Sequence, residues 1–230
     1  MTWYLYLIWV VAAGLLGFLV AAVFSRWLRM PRSWYLLPYV MVTGAFVWLY
    51  FQWSQTPVLK LLQNNLIWGV MGAIVIGVFV VKNVWSQPSS SHPDGGRLAW
   101  DVIWLGGVYG LMDALLLSVI PVLATWQALS LLGWTTAWLG QVVAGLVCLV
   151  ASLLVTGAYH RGYAEYRGKR VLAPIIGNGV MSLGYLITAN PIAAMASHIA
   201  MHVAGILHGP ETTTQLPPHY EPEIAARPVV

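Results

Sequence analysis

The sequence predicts an all-α polytopic membrane protein of about seven transmembrane helices, with the N-terminus outside and the C-terminus in the cytoplasm. Three observations carry that expectation. Of 230 residues, 59% are hydrophobic and only 8% charged, whereas a soluble domain carries roughly a quarter charged residues; the mean hydropathy is +0.74. The chain divides into seven apolar runs near the ~20 residues that cross roughly 30 Å of hydrocarbon. Its basic residues then fall almost entirely on one side of those runs.

The runs lie at 3–25, 34–54, 66–86, 99–123, 138–160, 171–189 and 191–208. The first carries no charge from Tyr4 to Val23 and is followed by Arg26, Arg29, Pro31 and Arg32. With no basic residue before it and no small-residue cleavage site, it reads as a permanent helix rather than a signal peptide. Lys82 and Arg97 flank the loop after the third run, and Arg161, Arg167, Lys169 and Arg170 follow the fifth. With Arg227 in the tail, ten of the eleven basic residues share one side and only Lys60 takes the other. Basic loops stay in the cytoplasm, which sets the orientation.

Between the runs, 54–65 reads as an outer interfacial segment carrying Leu59, Leu61 and Leu62. Residues 86–96, rich in Ser, Pro and Gly, read as a flexible linker. The linker divides three N-terminal helices (1–86, with 87–98 as the loop) from a four-helix part at 99–208. Trp126 to Thr136 is apolar but short and is expected to lie at the interface. Gly209-Pro210 stops the last helix, and the Pro-rich residues 209–230 are expected to be a disordered tail. Trp3, Tyr4, Trp34, Tyr35, Trp53, Trp85, Trp126 and Trp138 sit near run ends, where amphipathic rings anchor at headgroup level.

Composition also removes some functions. The pI near 9.3 reflects loop charges that set topology, so no nucleic-acid partner is implied. The single Cys148 forms no internal disulfide. A retinal attachment would require a mid-helix lysine, and a nucleotide-binding loop of Walker type is absent. The implied surroundings are the lipid bilayer, with membrane proteins or peptides as candidate substrates. Size and compact loops point to a bacterial inner membrane.

Ionisable groups at membrane depth are costly and mark candidate sites. Asp113 lies deep in the fourth run. His198 and His202, four residues apart in the seventh, share one helix face about 6 Å apart along the axis. His160 ends the fifth run, where on its own it reads as a histidine interacting with a helix C-terminus. His92, His208 and His219 fall in loops or at a helix exit and are not candidates. Asp113, His160, His198 and His202 together form a set suited to a divalent metal such as zinc, or to activating a water. Small residues at Ala193, Ala194, Ala196, Ser197, Gly205, Gly177, Gly179 and Gly184 would allow close helix approach.

The order of these residues resembles the CPBP family of CAAX prenyl endopeptidases and bacteriocin-processing proteins. That family carries Glu-Glu-x3-Arg, Phe-x3-His and His-x3-Asn on a four-helix core. Here the matching positions read Asp113-Ala114-x3-Ser118, Thr156-x3-His160 and His198-x3-His202. The stretch from Gly179 through Asn190-Pro191 to His198 is similar to the family's penultimate helix turning into its last. The resemblance covers about 99–208 and retains the two family histidines, His160 and His198. It implies a catalytic set in which Asp113 is the base, His160 and His198 orient the water, and His202 stands where an Asn stabilises the oxyanion. Ala114 and Ser118 replace the second carboxylate and the arginine. The implied function is a CPBP-type intramembrane endopeptidase or an inactive relative. A non-catalytic membrane subunit or scaffold, and a haem, ion or proton-handling protein, are the alternatives.

Overall fold

The computed structural model describes residues 2–216. Among the described residues, six helices are long and apolar enough to cross a membrane. They are α1 (Trp3–Trp27), α2 (Arg32–Ser54), α4 (Leu66–Trp85), α5 (Gly95–Leu131), α6 (Trp138–Gly162) and α7, which covers Leu172–Thr188 and is entered through a 3-10 turn at Gly168–Val171. A six-residue helix, α3 (Val58–Gln63), joins α2 to α4. The last helix, α8 (Ile192–His208), is apolar but has 17 residues, about 25 Å of rise.

The longest helix is also the central one. The apolar window of α5 is 72% buried, against 22–39% for the other five spans. α8 lies along α4 and against the first half of α5, while α1 packs on α6 and on the second half of α5. α7 fits against α6 and α4. The close approach of α8 to α5 has a specific cause. A Cβ on Gly110 would come within 2.8 Å of the Ile199 Cα, and one on Gly106 within 2.8 Å of the Val203 side chain. Two glycines four residues apart thus let the backbones touch, as in other membrane helix pairs. The sequence contained this pair, but close approach was expected on the sixth and seventh runs instead.

Several expectations are corrected. Trp126 to Thr136 is not a separate interfacial segment, because α5 runs unbroken to Leu131 and only Trp134–Thr136 forms a short turn of its own. Pro121 follows the π-wound stretch Ala114–Val119, and the helix continues through it. Trp3, Tyr4, Trp34, Trp85 and Trp138 are exposed, as anchors require, but Tyr35 is fully buried. Residues 209–216 pack onto the protein, with Thr213 and Leu216 buried. The remainder of the Pro-rich tail, with His219, lies outside the described residues.

Candidate functional site

Asp113 sits at the midpoint of α5 between two π-wound stretches, Val102–Val108 and Ala114–Val119. Wider turns of this kind re-aim side chains and recur at functional sites. The carboxylate is 2% exposed. Its Oδ1 accepts a 2.6 Å hydrogen bond from the Tyr39 hydroxyl. Its Oδ2 lies 3.2 Å from Nε2 of His202, close enough for an ion pair although not aligned as a hydrogen bond. The His202 ring also packs on Tyr109, with centroids 4.9 Å apart.

Around this pair stands a cluster of tyrosines that sequence reasoning did not find. Tyr35 and Tyr39 on α2, Tyr109 on α5, Tyr159 on α6 and Tyr163 just beyond it are all fully buried. Tyr163 bonds Tyr35 at 2.6 Å and Tyr159 at 2.6 Å, and Tyr109 bonds Tyr159 at 2.9 Å. Each hydroxyl thereby finds a partner away from water, as a buried polar group requires.

A second network lies on the opposite side of the site. Asn178 of α7 donates through Nδ2 to Ser152 at 2.9 Å and Thr156 at 2.6 Å. Its Oδ1 accepts from Ser118 at 2.8 Å and faces His198 Nε2 at 2.9 Å. The carbonyl can only accept, so His198 carries its proton on Nε2. Nδ1 of His198 is then a bare lone pair, buried and without a hydrogen-bond partner. His160 is fixed in a parallel way, with Nδ1 2.9 Å from the Thr156 carbonyl. That leaves its Nε2 as the acceptor. Neither Asn178 nor its serine partners were candidates from sequence, although an amide at membrane depth is a signal of the same kind as Asp113.

These residues converge on one cavity of about 280 Å³. Asp113, His160, Asn178 and His198 line it, together with Met181 and Met201. Asn83 and Gln87, at the end of α4 nearest the basic loops, line it as well. His202 does not; it stands behind Asp113. The two histidines of α8 therefore share a helix face but serve different networks.

A metal held by all four candidates is not what the geometry assembles. Among the described residues, no three His, Cys, Asp or Glu side chains are placed to share an ion. The reason is visible in the partners: His198 Nε2 is turned to Asn178, His160 Nδ1 to Thr156, and His202 to Asp113. What lines the cavity instead is one carboxyl side chain and two imidazoles, groups of the kind that accept protons or hydrogen bonds.

Comparison with family models, curated proteins and solved structures finds no match to this chain.

Proposed function

We propose that this chain is a divergent CPBP-type intramembrane protease-like protein, with the cavity between α5, α6, α7 and α8 as its peptide-handling site. In this reading α8 is a seventh span. The N-terminus lies outside, the C-terminus in the cytoplasm, and the host is a bacterial inner membrane. One observation carries the functional reading: Asp113, His160 and His198, from three separate helices, line a single cavity, which this reading sets within the bilayer. Burying a carboxylate and two imidazoles together costs stability, and such groups at depth serve function by default. His160 Nε2 would take the proton of an attacking water, and Asp113 would stabilise the imidazolium that forms. His202 acts behind the carboxylate as a positioning residue rather than as an oxyanion donor.

A second reading is favoured by a different observation. Asn178 directs its N–H groups at Ser152 and Thr156, and His198 directs its own at Asn178. Neither retains a donor for an oxyanion, which is where such catalysis draws much of its rate. A relative that binds its peptide without cleaving it fits that arrangement.

Reconstituted protein with a library of quenched fluorescent peptides separates the two. The catalytic reading expects turnover that falls at least about 100-fold in Asp113→Asn and in His160→Ala, the scale of a lost acid–base group. Turnover unchanged in both variants would remove the site. Peptide binding without turnover, weakened by His198→Ala, would establish the second reading.

A further inference from the structure

Part of the cavity wall is the chain segment that follows the last helix. After α8 the chain leaves the helix at Gly209, and Thr214 and Gln215 line the same cavity as Asp113 and the two histidines. The segment is held by groups from three distant parts of the chain. Arg32, at the start of α2, donates to the Leu216 carbonyl at 2.7 Å. Tyr166 donates its hydroxyl to the Thr214 carbonyl. Gln87 accepts from the Thr214 N–H at 3.1 Å through Oε1 and, through Nε2, donates to Gln215 at 3.0 Å. Burial holds the Tyr166 phenol above its ordinary range, so it remains a donor.

Most of these bonds read backbone rather than side chains. Two carbonyls and one N–H of the segment are each met by a side chain placed for it. Leu216 supplies the one apolar anchor: it is fully buried, and a Cβ on Gly205 of α8 would come within 2.9 Å of its Cδ1. Gly205 thus forms a notch that the leucine fills.

We propose that the rim formed by Arg32, Gln87, Tyr166 and Gly205 is a binding site for a short non-helical peptide segment, occupied in cis by Thr213–Leu216. The segment is a plug, and access to Asp113, His160 and His198 requires its release. This inference rests on the reading of the cavity as the functional site, but its test uses no activity.

The test is the labelling rate of a cavity cysteine by a small charged methanethiosulfonate in detergent-purified full-length protein. Met181, which is 1% exposed and lines the cavity, is replaced in M181C. The native Cys148 is fully buried elsewhere and serves as the sentinel for unfolding. Leu216→Asp drives the anchor into water, and Gly205→Val fills the notch from the other side. Each is expected to raise labelling of the introduced cavity thiol at least ten-fold while Cys148 stays protected. A free peptide of sequence Glu-Thr-Thr-Thr-Gln-Leu should return the rate toward its starting value in the L216D background. Unchanged labelling with Cys148 protected overturns the plug. If either variant exposes Cys148, Tyr166→Phe decides, because it removes the bond to the Thr214 carbonyl at a residue that does not line the cavity, without burying a charge or crowding the core. A rise there sustains the proposal and a flat rate ends it.

Discussion

Nε2 of His202 lies 3.2 Å from Oδ2 of Asp113, with both side chains almost wholly out of contact with solvent. The two residues come from helices whose backbones touch at Gly110, so their separation is set by packing and not by flexible side chains. A buried pair of this kind is weak evidence of net stability, yet removing one partner leaves the other stranded.

That asymmetry gives the first prediction. His202→Ala and Asp113→Asn should each destabilise the fold, by about 2–4 kcal/mol, and the double variant should cost less than their sum. A double-mutant cycle on reversible unfolding in detergent or bicelles should return a coupling of at least about 1 kcal/mol. Strict additivity would mean that the pair does not interact.

Asn178 holds its network together from a single side chain. Its replacement by Ala takes a shared partner from Ser118, Ser152 and Thr156, which keep other bonds to Ser182 and to the Leu117 and Ser152 carbonyls. It also leaves the His198 Nε2–H without its 2.9 Å acceptor, where an unsatisfied buried group costs roughly 1–3 kcal/mol. Asn178→Ala is therefore expected to lower stability by at least about 2 kcal/mol, read as the shift in unfolding midpoint. A change below about 0.5 kcal/mol would show the network to be idle.

The directions of the histidine nitrogens bear on metal content. Purified protein should carry less than a stoichiometric amount of any transition metal by mass spectrometry, and His198→Ala should not change the figure. One equivalent lost in that variant would show that the side chains regroup around an ion.

Topology is open to a direct check. A reporter fused after Val230 is expected to signal from the cytoplasm, and a cysteine at Lys60 should react with an impermeant reagent from the outside only. A reporter signal from outside would reduce the seven spans of the proposal to six.

Much of the fold was legible because hydropathy over about 20 residues is a coarse signal that packing does not erase. Asp113, His160 and His198 were legible through the same physics, since charge at depth is expensive. Tyr35 was not. An aromatic near a span end has the same sequence signature whether it faces headgroups or the bundle interior, and only its neighbours decide. The other buried tyrosines were silent for a related reason: each is apolar enough to pass as membrane-facing, and the pairing of their hydroxyls is a matter of helix rotation. The continuity of α5 past residue 123 was hidden because the apolar stretch from Trp126 is short and broken by Gly133, which reads as a segment of its own. Asn178 and the Gly106/Gly110 pair were present as signals and were not read, the first because amides cost less than charges, the second because glycine is common in spans.

Gly110 carries no polar atom on a side chain, yet the spacing across the site depends on it. Any larger residue there would push against the backbone at Ile199, beside His198, and shift the helix that carries both histidines. On the proposed reading, one substitution at Gly110 would disable the site while every acid and imidazole stayed in place.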